Sequence, residues 1–121
     1  MAQSAVRRVK SLKPRLRVQV GEDIALGPGK VELLEHIAAT GSIQEAAKRM
    51  GLSYMRAWLL IRTMNRCFRE PVVLSLRGGP RGGGAQLTET GRQALAIYQS
   101  MLLASTAAVQ KEWKKLQRLL G

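Results

Sequence analysis

A chain of 121 residues has room for one domain with a modest core. Its 45% hydrophobic content is ordinary for a globular protein, but Lys plus Arg outnumber Asp plus Glu by 20 to 8, a formal net charge of +12. That excess suits a polyanionic partner, nucleic acid above all, and no apolar run reaches the length of a membrane-spanning helix.

Residues 1–13 hold Arg7, Arg8, Lys10 and Lys13 without an acid and read as a flexible basic arm. The opening "MAQSAVRRVKSLKPRLR" has charges where a signal peptide has an apolar stretch, which predicts a cytoplasmic protein. From Pro14 the pattern changes. In "PRLRVQV", Leu16, Val18 and Val20 alternate with Arg15, Arg17 and Gln19, the period of a half-buried strand, and "GEDIAL" continues as a turn and a second extended piece. "GPGK" then supplies a break and a helix start, with Pro28 suited to a first turn.

Between residues 29 and 40, Val31, Leu34, Ile37 and Ala38 recur at helical spacing and define the apolar side of a first helix. Gly41 ends it, and Ser42 is placed to cap a second helix whose apolar side is Ile43, Ala46, Ala47 and Met50. Gly51 supplies a corner, Leu52 plugs the inside of the turn, and Ser53 caps a third helix running to about Phe68. A short helix, a glycine turn and a longer helix predict a helix-turn-helix.

On the third helix, Ala57, Leu60, Ile61, Met64 and Phe68 share one side, at about 100° per residue. Met55, Arg56, Leu59, Arg62, Thr63 and Arg66 fall opposite, with three arginines and no acid on the side that could enter a major groove. Trp58 and Tyr54 lie at the edge of the apolar face. Trp58 reads first as core, locking the third helix against the second, with a base contact as the alternative.

"PVVLSLRGGPRGGGAQLTETG" predicts a hairpin wing: a strand from Val72 to Arg77, a glycine-rich loop, a returning "AQL", and Thr88 capping the next helix. The loop matches neither GxxxxGK[ST] nor GxGxxG, so a nucleotide-cradling loop is excluded on spacing. Arg77 and Arg81 beside the glycines suit close approach to a phosphate backbone or minor groove. From Thr88 to the end, "TETGRQALAIYQSMLLASTAAVQKEWKKLQRLLG" reads as one long helix of about 50 Å at 1.5 Å per residue. Leu95, Tyr98, Leu102, Ser105, Val109, Trp113, Leu116 and Leu120 follow coiled-coil steps and predict a seam toward a second copy of the chain, with packing back on its own strand and first helix as the alternative for part of it.

Catalytic and metal chemistry is thinly supplied. Cys67, the single cysteine, and His36, the single histidine, have no companions at ligand spacing and read as structural. The eight carboxylates are scattered, with Glu22 and Asp23 in a turn and Glu32 and Glu35 on one helix face. No enzyme, cofactor or metal is expected. The predicted fold is mainly α with a small β-hairpin wing: a basic arm (1–13), a winged helix-turn-helix (14–87), and a long C-terminal dimerisation helix (88–121).

"GSIQEAAKRMGLSYMRAW", the following Met64 and Asn65, and "RGGPRGGGAQLTETG" resemble the N-terminal DNA-binding domain of ModE-type molybdate-responsive repressors, and more distantly LysR-type regulators. The resemblance covers roughly residues 27–95. It implies a dimeric winged helix-turn-helix that regulates transcription, probing operator DNA as a repressor. ModE-type proteins that sense molybdate carry oxyanion-binding domains after this one. The sequence up to Gly121 offers no such domain and no binding site for the anion, so molybdate control is not expected from it.

On this reading two copies present their third helices to successive major grooves of double-stranded DNA, about 34 Å apart. Ser42, Ser53 and Tyr54 would position the motif on phosphates. Arg56 and Arg62 would read base edges, with Met55 and Leu59 against thymine methyl groups. Arg66, Arg77 and Arg81 would contact the backbone. The competing function is a non-specific architectural or protein-interaction module, separable by sequence-selective binding.

Overall fold

The computed structural model describes residues 8–76 and 84–121. Arg77 and Arg81, the loop they sit on, and the first part of the basic arm lie outside the described residues; residues 8–13 form neither helix nor strand. No described helix is long and apolar enough to cross a membrane.

The chain opens with a hairpin of β1 (Val18–Val20) and β2 (Asp23–Leu26), paired antiparallel, with a register slip between Val18 and Gln19. Gly21 turns the corner at φ 60°, a left-handed conformation that favours glycine. The alternation expected for β1 holds only at its start. Leu16 and Val18 lean on the core, while Val20, next to the turn, is 50% exposed.

Helix α1 (Pro28–Thr40) is the hub, touching β2, α2, α3, α4 and the wing. Being surrounded, it buries a wider arc than one stripe: Leu33 joins Val31, Leu34 and Ile37, whereas Ala38, expected inside, is exposed. Gly41 ends the helix at φ 69° and donates its N–H to the Ile37 carbonyl at 2.8 Å.

Ser42 caps α2 (Ile43–Arg49), its Oγ accepting from the Glu45 N–H at 3.1 Å, and Ile43, Ala46 and Ala47 are buried as the pattern predicts. Gly51 makes the corner at φ 68°, and the Leu52 N–H reaches back to the Ala47 carbonyl at 2.9 Å. Ser53 caps α3 (Tyr54–Cys67) in the same way, accepting from the Arg56 N–H at 3.0 Å. Ala57, Ile61 and Met64 are buried, with Leu60 and Phe68 packed against the core.

The wing pairs β3 (Val73–Leu76) antiparallel with β4 (Gly84–Leu87), in register from Val73–Leu87 to Leu76–Gly84. It is fastened at its base. The Ala85 N–H donates to the Gly41 carbonyl at 2.9 Å, and Ser42 forms an isolated bridge with Gly84. The chain is therefore a winged helix-turn-helix.

Thr88 caps α4 (Glu89–Ala108), accepting from the Gly91 N–H at 2.9 Å while its hydroxyl donates to the Pro71 carbonyl at 2.6 Å. Gly91 is needed for proximity: a Cβ there would collide with the Val72 carbonyl oxygen. The single unbroken terminal helix expected from the sequence is corrected by a break at Val109 (φ −106°, ψ 11°), after which α5 runs Gln110–Gln117. Local hydrogen bonding explains the break. The Gln110 side-chain amide takes the Thr106 carbonyl at 2.8 Å, replacing a backbone partner, and the Thr106 hydroxyl turns back to the Leu102 carbonyl at 3.0 Å.

The predicted seam also splits at this break. Tyr98 is buried in its own chain and its hydroxyl donates to the Leu16 carbonyl at 2.7 Å, while Leu95 and Leu102 pack against the same core. These three were expected to face a second copy. They face inward because α4 is the lid over α1 and the segment leading into β1, a tertiary role that heptad spacing cannot separate from pairing. Val109, Leu116 and Leu120 remain exposed, and with Leu12, Glu112 and Trp113 the first two of them line a shallow, largely apolar groove.

Candidate nucleic-acid interface

Because Ala57, Ile61 and Met64 bind α3 to the body, helical geometry leaves one continuous face outward. That face carries Tyr54, Met55, Arg56, Trp58, Leu59, Arg62 and Arg66, all exposed, and no carboxylate arises from α3 itself. The apolar members are well outside the core, at 48% for Tyr54, 59% for Met55 and 43% for Leu59. Met55 and Leu59 therefore point to solvent on the same side as the arginines, in the helix phase read from the spacing.

Trp58 departs from the expected core position. It is 36% exposed, and the Arg62 guanidinium lies over its ring, 5.5 Å from the centroid. The buried positions of α2 and of the first half of α3 are taken by small residues, Ala46, Ala47 and Ala57. This cation–π contact ties the Arg62 guanidinium to Trp58 on the outer face.

The three arginines are not equivalent. Arg56 emerges from the first turn of α3 and has Lys30 of α1 within its field; the Lys30 ammonium is pushed below the usual lysine range first by burial, with Arg56 and Arg17 acting in the same direction. Arg66, about 18 Å along the axis from Tyr54 at 1.5 Å per residue, is engaged by Asp23 of β2. Its Nε donates to Oδ2 at 3.2 Å and its Nη2 to Oδ1 at 3.1 Å. That hydrogen bond, together with the carboxylate charge, raises the Arg66 pKa above the ordinary guanidinium value.

Ser42 and Ser53 each spend an oxygen lone pair on capping, so both are fixed at the leading ends of the two motif helices. Asn65 has a role that the sequence motif named without explaining. Its Oδ1 accepts from the N–H groups of Val72 at 2.8 Å and Val73 at 3.2 Å, and its Nδ2 donates to the Val73 carbonyl at 3.1 Å. One amide thus clamps the wing to the last turn of α3. A polar amide beside a helix end, just before a β-rich segment, was the available signal. Asp23 and Lys30 gave none, since their positions depend on how the hairpin and α1 fold against α3.

Among the described residues no group of three His, Cys, Asp or Glu side chains could hold a metal ion, and no buried side-chain nitrogen or oxygen lacks a partner.

No protein-family model matches the chain. Individual proteins do. The molybdenum transport protein ModE of Azotobacter vinelandii is 37% identical over 107 residues, covering 88% of this chain and 40% of that protein. The DNA-binding transcriptional dual regulator ModE of Escherichia coli K12 is 37% identical over 83 residues, covering 69% and 32%. The chain is a sequence relative of the ModE proteins. The molybdenum-pterin-binding protein MopB of Rhodobacter capsulatus is 45% identical over 73 residues, or 60% of this chain and 27% of that one. The chain thus spans well under half the length of these ModE and Mop relatives. A crystal structure of a LysR family transcriptional regulator superposes with a TM-score of 0.49 at 18% identity, covering 69% of this chain and 26% of that one.

Proposed function

We propose that this ModE relative is a transcriptional regulator that binds operator DNA as a two-fold dimer, with α3 in the major groove and repression as the outcome. One observation carries the reading: the outer face of α3 combines Arg56 and Arg62 with the exposed side chains of Tyr54, Met55, Trp58 and Leu59. Arginine guanidinium groups suit guanine O6 and N7, and exposed apolar side chains suit thymine methyl groups. A solvated helix surface without a partner has no use for four large apolar residues.

In this reading Ser42, Ser53 and Tyr54 meet phosphates at the start of the motif, and the wing arginines Arg77 and Arg81 supply affinity without sequence information. The second copy docks through the apolar groove of Leu12, Val109, Trp113 and Leu116, and through the exposed Leu119 and Leu120. We assign no residue of this chain to molybdate.

Selection of binding sites from a random duplex library tests the reading. A recovered inverted repeat with half-sites about one helical turn apart, roughly 34 Å, supports it; recovery of no motif favours the non-specific module.

A further inference from the structure

Among the described residues, Asp23 is the acidic side chain that hydrogen-bonds to the outer face of α3, through Arg66. It comes from the β1–β2 hairpin, 43 positions away in sequence. Both partners are substantially solvent-exposed, at 56% for Arg66 and 40% for Asp23, so the pair sits on the surface rather than in a sealed site. The guanidinium presents Nε and Nη2 to the carboxylate, a fork geometry that fixes its plane and occupies two of its donor positions.

We propose that Asp23 is a positioning residue for DNA binding: it holds Arg66 to the hairpin and so withholds one cation from the phosphate backbone. This rests on the function proposed above. Arg66 lies near the C-terminal end of α3, where a helix crossing the groove leaves the bases and meets the backbone. An unrestrained arginine there neutralises one more phosphate on any duplex, raising binding that carries no sequence information. By engaging Arg66, the Asp23 carboxylate lowers the phosphate count of the domain by one.

The salt dependence of binding reads this count directly. Each phosphate neutralised contributes about 0.9 to the slope of log K against log salt. Asp23→Asn frees Arg66 while preserving side-chain size. It should therefore steepen the slope by about 0.9, an extra three- to fourfold change in affinity between 50 and 200 mM salt. The effect should appear equally on operator and scrambled duplexes, vanish in the Asp23→Asn, Arg66→Gln double variant, and be absent from Asp23→Glu. Thermal melting of each variant confirms that the hairpin stays folded.

A slope unchanged in Asp23→Asn overturns the proposal. So does an equal change with Arg66→Gln already present, since Asp23 then acts by its own charge and not through Arg66. Failure of the parent protein to bind any duplex would instead remove the proposed function on which this rests.

Discussion

Replacing Asn65 with alanine tests how the wing is attached. The side chain makes three hydrogen bonds to the backbone of Val72 and Val73, residues that are 0% and 3% exposed. A neutral hydrogen bond contributes about 1 kcal/mol net, and a buried donor left without a partner costs about 1–3 kcal/mol. Alanine removes the acceptor of two N–H groups, of which the Val73 contact is the longer and weaker at 3.2 Å. The expected destabilisation is about 2–4 kcal/mol, a large part of the 5–15 kcal/mol that holds a typical domain together. Urea denaturation followed by far-ultraviolet circular dichroism should show a lower midpoint with an unchanged slope. Asn65→Asp keeps the acceptor but sets a carboxylate against the Val73 carbonyl, so it should fall between the two. A loss under 0.5 kcal/mol for Asn65→Ala would mean that the wing base finds other partners, and the clamp would be refuted.

Gly91→Ala should cost about 1–3 kcal/mol as overpacking, because the colliding atom is the Val72 backbone carbonyl, which cannot swing aside; thermal melting measures it. Tyr98→Phe removes the hydroxyl donated to Leu16 and should cost about 0.5–1.5 kcal/mol, whereas Trp58→Ala should leave stability within about 0.5 kcal/mol while weakening duplex binding. Glu89 is exposed, and its hydrogen bonds from Arg92 and Gln93 place its pKa below the usual glutamate value. A depressed folded pKa contributes stability above the unfolded value that is lost as pH falls through the folded one, so Glu89→Gln should flatten the acid limb of the melting-temperature profile. Leu116→Glu should abolish a dimer in sedimentation equilibrium, leaving the monomer's circular dichroism unchanged; persistence of the dimer would remove the α5 groove from the interface.

Most of the motif was legible because its signals are local. Ser42, Gly51, Ser53 and Thr88 announce helix ends by their own chemistry, and each does in the structure what its residue type predicts. The buried faces of α2 and α3 followed from spacing alone. What escaped was set by tertiary contacts. Leu33 is buried because α1 is enclosed on more sides than one stripe serves. Tyr98 could have closed either a dimer or its own core, and spacing cannot choose between them. The break at Val109 depends on Gln110 capturing a carbonyl one turn back. Trp58 was misplaced because its position at the edge of the apolar face does not by itself tell burial from exposure. In the site itself, the exposed α3 face was readable as a pattern, but the partition of its arginines was not: Arg62 rests on Trp58, and Arg66 is bound by a carboxylate from another element.

The central claim is that the outer face of α3 reads DNA sequence. Fluorescence anisotropy with the DNA upstream of the protein's own coding sequence and a scrambled duplex, in excess competitor, tests it most directly when Arg56→Ala is run beside the parent. The account predicts preference for the upstream duplex and a loss of about 1–3 kcal/mol of discrimination in the variant. Equal affinity for both duplexes, with Arg56→Ala weakening them alike, would contradict it.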